Sequence, residues 1–150
     1  MKMRGKHYQT QWAGQFGVAH ELSRRGYLVT FTTGNAPITD LLCQSPGGVP
    51  FSVEVKSLSS KTCFLYHASL LDPKPGRFLV FVLLPSSLTE RPEYFVLKHE
   101  QFQQVVEEQD RRTKEAGKKR EKPYAPFPPG VSYSVLKESN FRDAWDNLPE

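Results

Sequence analysis

The sequence predicts an α/β sandwich, a mixed sheet with helices on its faces, and three observations carry that expectation. The chain opens on an amphipathic helical stretch. Three short runs rich in β-branched and aromatic residues follow, joined by turn residues. Later comes Phe78 to Leu84, a run apolar at every position. Strands joined by a tight turn pair antiparallel, and a strand apolar on both faces is one covered on both sides, so the sheet is mixed and layered. With 150 residues the chain has room for one domain, expected to span 1–150.

The first helix is expected from Tyr8 to Arg25. Trp12, Phe16, Ala19 and Leu22 share an apolar stripe with Val18 beside them, and Gly26 after Arg24 and Arg25 is a stop signal. Tyr27 to Thr33 is the first strand, ended by Gly34, Asn35 and Pro37. Ile38 to Gln44 is the second, the SPGGV segment a turn, and Pro50 to Ser57 the third. The stretch from there to Arg77 has no clear pattern. Phe78 to Leu84 and Glu93 to Leu97 are the fourth and fifth strands, separated by the loop at 85–92. A second helix is expected from His99 to the mid-110s, burying Phe102, Val105 and Val106. Lys118 to Gly130 holds four of the twelve prolines and reads as an exposed excursion. Val131 to Leu136 suits a last strand, and Asn140 to Leu148 a short helix whose Phe141, Trp145 and Leu148 pack back on the body.

Composition narrows the function classes. The basic start, Met1 to His7, leads into no apolar signal segment, and no apolar run is long enough to span a bilayer, so a cytoplasmic chain with no membrane partner is expected. Cys43 and Cys63 cannot make a disulfide framework or a zinc site alone and are read as small, reduced, mostly buried residues. The four histidines show no ligand spacing, and there is no glycine-rich phosphate loop. The net charge is +4, yet residues 111–122 alone hold seven basic and two acidic side chains. Arg111, Arg112, Lys118, Lys119 and Arg120 in this exposed basic, proline-rich segment (about 111–130) are candidate nucleic-acid contacts, as is Lys61 in the polar loop after the third strand. A solvated helix end and a plain turn are the competing readings.

The third strand reads Phe51-Ser52-Val53-Glu54-Val55-Lys56, placing Glu54 and Lys56 on one face. A turn centred on Gly47 sets Asp40 opposite Glu54 and Ile38 opposite Lys56, with facing Cβ atoms about 5 Å apart. Two carboxylates that close repel unless one keeps its proton, a cation sits between them, or both splay into water. A hard divalent ion such as Mg²⁺ (or Mn²⁺) suits two carboxylates, a backbone carbonyl and waters. Lys56 can then deprotonate or orient a water, or stabilise charge on a phosphate. Equally, Glu54 and Lys56 can be an ordinary surface pair. Gln15 falls on the buried side of the first helix and needs a polar partner, either a site near Asp40 or a backbone group. Glu21 reads as a helix-surface ion pair with Arg25.

The run Gly14-Gln15-Phe16-Gly17-Val18-Ala19-His20-Glu21-Leu22-Ser23-Arg24-Arg25-Gly26-Tyr27, then Asp40, then Glu54-Val55-Lys56-Ser57, resembles the PD-(D/E)XK nuclease superfamily, particularly its small restriction-endonuclease-like and Holliday-junction-resolvase-like members. The resemblance covers residues 8–57 well and 78–106 loosely. It implies a restriction-endonuclease-like core, in the order α-β-β-β-β-β-α plus a short C-terminal helix, and Mg²⁺-dependent hydrolysis of a DNA phosphodiester. Asp40, Glu54 and the Val55 carbonyl would be metal ligands, and Lys56 would position or activate the water. Gln15 stands where the family often has a glutamate, and Pro37 lies three residues upstream of Asp40 instead of beside it. A possible homodimer follows from one site per small subunit. The alternative is a catalytically inactive nuclease-fold protein that binds nucleic acid or a protein partner. A third reading is an interaction domain with an accidental acidic pair.

Overall fold

The computed structural model describes residues 5–32, 39–119 and 129–150. Helix α1 (Gly5–Arg24) leads into strands β1 (Leu28–Phe31), β2 (Leu41–Gln44) and β3 (Pro50–Leu58). Then come β4 (Cys63–Leu65), a 3-10 turn (Ala68–Leu71), β5 (Arg77–Leu83), β6 (Glu93–Leu97) and helix α2 (His99–Lys118). The chain closes with β7 (Gly130–Ser132), the short helix α3 (Tyr133–Lys137) and a 3-10 turn (Trp145–Asn147).

Five strands form one sheet in the order β1-β2-β3-β5-β6, and β4 pairs with β7 in a second, two-stranded sheet. Only β3 and β5 are parallel, and every other neighbouring pair is antiparallel. Parallel strands require a crossover, usually a helix. Here β4 and the 3-10 turn make it, in the stretch where the sequence carried no pattern. The apolar run of β5 supplies both faces: Val80 and Val82 join Val18, Leu22, Val53 and Val55 in the core under α1. Leu79, Phe81 and Leu83 join Phe102, Val105, Phe64 and Leu136 in the core under α2. The chain is therefore α/β, a mixed five-stranded sheet with a helix on each face.

Several expectations are corrected. Phe16 is 57% exposed and Trp12 only half-buried, because α1 rotates Gly14, Gln15, Val18 and Leu22 toward the sheet. Residues 131–136 are not one strand. Val131, Tyr133 and Val135 alternate with serines as a strand would, but the Ser132 hydroxyl accepts the Val135 N–H and starts α3. Of the helix expected near 140–148 only a 3-10 turn forms, although Trp145 and Leu148 are buried as expected. Helix α2 runs on to Lys118, a few residues past the expected end in the mid-110s, while 120–128 lie outside the described residues, as do Ile38 and its pairing with Lys56. No helix among the described residues is long and apolar enough to cross a membrane.

Candidate active site

The turn after β2 sets everything that follows. Gly48 takes a left-handed φ of 89°, its N–H donates to the Ser45 carbonyl, and the Ser45 N–H donates to that of Val49. The resulting ladder runs from Gln44 opposite Pro50 to Leu41 opposite Val53. This is the register expected from the sequence, and it brings Asp40, the bend residue just before β2, alongside Glu54. The Asp40 N–H donates to the Val53 carbonyl at 3.2 Å, and the Asp40 carbonyl accepts the Thr32 N–H at 3.1 Å. At this bend the Val55 N–H donates to the side chain of Asp40, reaching Oδ2 at 2.8 Å. The other carboxylate oxygen, Oδ1, accepts Nε2 of Gln15 at 3.0 Å.

Gln15 is thus the buried polar group of α1 that the helical spacing picked out, and its partner is the acid on the sheet. The helix reaches that depth because of two glycines. A Cβ on Gly14 would sit 1.7 Å from Ser57 Oγ, and one on Gly17 would sit 2.6 Å from Tyr94 Oη.

Glu54 is 6% exposed. Its Oε1 pairs with Lys56 Nζ at 2.7 Å, while its Oε2 is buried with no partner. Burial, followed by the charge of Glu54, pushes the Asp40 carboxyl up to about 6, against the opposing pull of the Val55 N–H and Lys56. One buried acid beside a half-buried one, with an orphaned carboxylate oxygen, is what a hard cation would satisfy. No group of three or more His, Cys, Asp and Glu that could hold a metal exists among the described residues. The available donors are therefore two carboxylates, the Val55 carbonyl and water, a set that suits Mg²⁺, which keeps several waters.

The other candidates are dispersed. Glu21 does pair with Arg25, at 2.5 Å, but it is buried and also meets Arg91 at 3.3 Å, so it is not a surface pair. Burial works against its charge, but the two guanidiniums outweigh that and lower its pKa. Arg111 is paired with Glu108 and Glu115, and Arg112 with Glu108 and Glu138. Lys118 and Lys119 are exposed at the end of α2, and Arg120 lies outside the described residues. Lys61 lies 5.8 Å over the Tyr133 ring. Cys43 and Cys63 are unpaired thiols, the first buried and the second half-buried.

Two features were missed from the sequence. A cavity of about 650 Å³ opens beside Lys56, between the N-terminal half of α1 and β4. Its walls come from two stretches more than forty residues apart in the chain, 7–11 and 55–65, so no local pattern announces it. The second is an aromatic row on α1. Trp12 stacks on Phe16 with centroids 5.4 Å apart, Tyr8 meets Trp12 edge-on, and Phe31 of β1 lies 5.1 Å from Phe16. Its four-residue spacing was visible, but a helical aromatic stripe reads as core.

Comparison with family models, with curated proteins and with solved structures finds no match.

Proposed function

We propose that this chain is a Mg²⁺-dependent endonuclease, or a nuclease module, that hydrolyses DNA phosphodiester bonds on a restriction-endonuclease-like core. The observation that carries the reading is the convergence of Asp40, Glu54 and Lys56 at one point, with Glu54 Oε2 buried and unpartnered. Asp40, Glu54 and the Val55 carbonyl would hold Mg²⁺. When bound, that ion lowers the pKa of a coordinated water and neutralises charge building on the phosphate. Gln15 and the Val55 N–H fix the Asp40 carboxylate in one orientation, so little reorganisation is left for the reaction. As the cation of an ion pair, Lys56 is a donor: it orients the attacking water and stabilises the phosphoryl oxygens. In the hydrolysis a water oxygen bonds to phosphorus and releases a proton to solvent, the bond to the leaving sugar oxygen breaks, and that oxygen takes up a proton from solvent.

A second reading, a metal-binding or DNA-binding protein that does not cut, is favoured by one observation: the group from α1 on Asp40 is the neutral amide of Gln15. Nicking of plasmid and cleavage of a labelled single strand with Mg²⁺, together with calorimetry of Mg²⁺ binding, test both. The wild type is expected to cut, and Lys56→Ala to lose at least about a hundredfold in rate, the scale of one lost transition-state donor. Asp40→Ala is expected to lose the Mg²⁺ heat. Mg²⁺ heat without cutting of either DNA supports the non-cutting reading, and the absence of both heat and cutting removes the metal site.

A further inference from the structure

The cavity beside Lys56 is not explained by metal chemistry. Its α1 wall carries His7, Thr10 and Gln11, the end of β3 and the following loop add Ser57, Ser59 and Ser60, and Phe64 and Leu65 of β4 supply apolar surface. Among the described residues this lining offers neutral donors and acceptors over an apolar floor, with Lys56 as its one ammonium. A phosphate track would instead gather several cations. The volume, about 650 Å³, lies within the range of small-molecule sites. A flat heterocycle with polar edges suits such walls. Within a duplex the bases are stacked and paired and cannot enter; only an unstacked base can.

An independent feature on the same helix points the same way. Tyr8 is 62% and Phe16 57% exposed, and with Trp12 between them they form a continuous aromatic row. Exposed aromatic rows are platforms on which successive bases of a single strand stack. Gln15, one position from Phe16, joins this helix to Asp40, so row and cavity flank the acidic site from one element.

We infer that the substrate is DNA with unpaired nucleotides at the cleavage point, one base entering the cavity beside Lys56 while its neighbours stack on Tyr8, Trp12 and Phe16. This rests on the nuclease reading of the Asp40 site, and the test separates the two. The probe is a labelled oligonucleotide, presented as a single strand or as the fully paired duplex. Binding is measured by fluorescence anisotropy in EDTA with the Asp40→Asn protein, which needs neither metal nor turnover. The single strand is expected to bind at least about tenfold more tightly than the duplex, the scale of one good stacking contact. Ser59→Trp, which fills the cavity from an exposed position, should erase most of that preference, and Phe16→Ser should weaken single-strand binding with duplex binding unchanged. Thermal melts establish that both variants fold, and Gln11→Ala, a milder change in the cavity wall, should reduce the preference in the same direction. Equal binding of both forms, no binding at all, or a preference untouched by Ser59→Trp and Gln11→Ala overturns the inference. If the preference holds while no protein cuts DNA, the nuclease reading fails and the binding inference stands.

Discussion

Asp40 carries a cost that can be measured without substrate. Its carboxyl titrates near 6 in the folded chain, against 3.8 as the ordinary value. Between those two pH values the folded state holds the proton more tightly than the unfolded one, so stability falls as pH rises through that window. The penalty is absent below about pH 4 and complete above about pH 6, and partial solvent screening leaves it at about 2 kcal/mol. Asp40→Asn keeps an acceptor for the Val55 N–H, and the Gln15 amide can turn to accept from the new one. In metal-free buffer this variant should therefore melt higher than wild type at pH 7.5, with the gain vanishing by pH 4, while its Mg²⁺ binding is lost. Thermal melts across pH check this, and a flat difference would contradict it. Glu21 has the opposite sign, since its lowered pKa contributes stability above its unfolded value that is lost on acidification. The register that pairs Asp40 with Glu54 was legible because one glycine turn dictates it. The burial of Glu21 was not, because Arg91 arrives from a loop seventy residues away.

Among the elements, α1 shows how glycine sets the depth of a helix. Alanine is the better helix former by about 0.8–1 kcal/mol, yet at Gly14 its Cβ would overlap Ser57. Gly14→Ala should destabilise by about 1–3 kcal/mol, as overpacking does, and should lift Gln15 away from Asp40. Gly117, in the last turn of α2, has open space where a Cβ would stand, with nothing within 4 Å. Gly117→Ala should stabilise by about 0.5–1 kcal/mol. Chemical denaturation of the two variants reads the opposite signs directly. Most of the sheet could be read from the chain: Glu93–Leu97 forms as expected, and β3 and β5 shift by a single residue at their ends. What failed were positions where a local pattern has two solutions. Val131 to Val135 alternates like a strand until the Ser132 cap decides for a helix, and Trp12 and Phe16 look like core until Gly14 turns the helix the other way.

For the whole molecule, the two cores put α1 and α2 on opposite faces of the sheet, so the Asp40 site and the basic end of α2 are held by different layers. The charge block is also less cationic than its composition suggests, since Arg111 and Arg112 are already matched by Glu108, Glu115 and Glu138. If the block meets DNA, Lys118 and Lys119 should carry the contact. Neutralising both to Gln should flatten the slope of log binding constant against log salt by about 0.7–0.9 per lost phosphate contact. Arg111→Gln should leave that slope nearly unchanged. Titration of DNA binding over a range of salt distinguishes the two, and equal slopes for all variants would remove this segment from the interface.

The hydrogen bond from the Val55 amide to a carboxylate makes one peptide group a built-in voltmeter. Its proton resonance should drift as acid is added near pH 6 and jump when Mg²⁺ is supplied, while the amides of Val80 and Val82 on the neighbouring strand stay still. A single backbone signal would thereby report the charge of the centre with no substrate present.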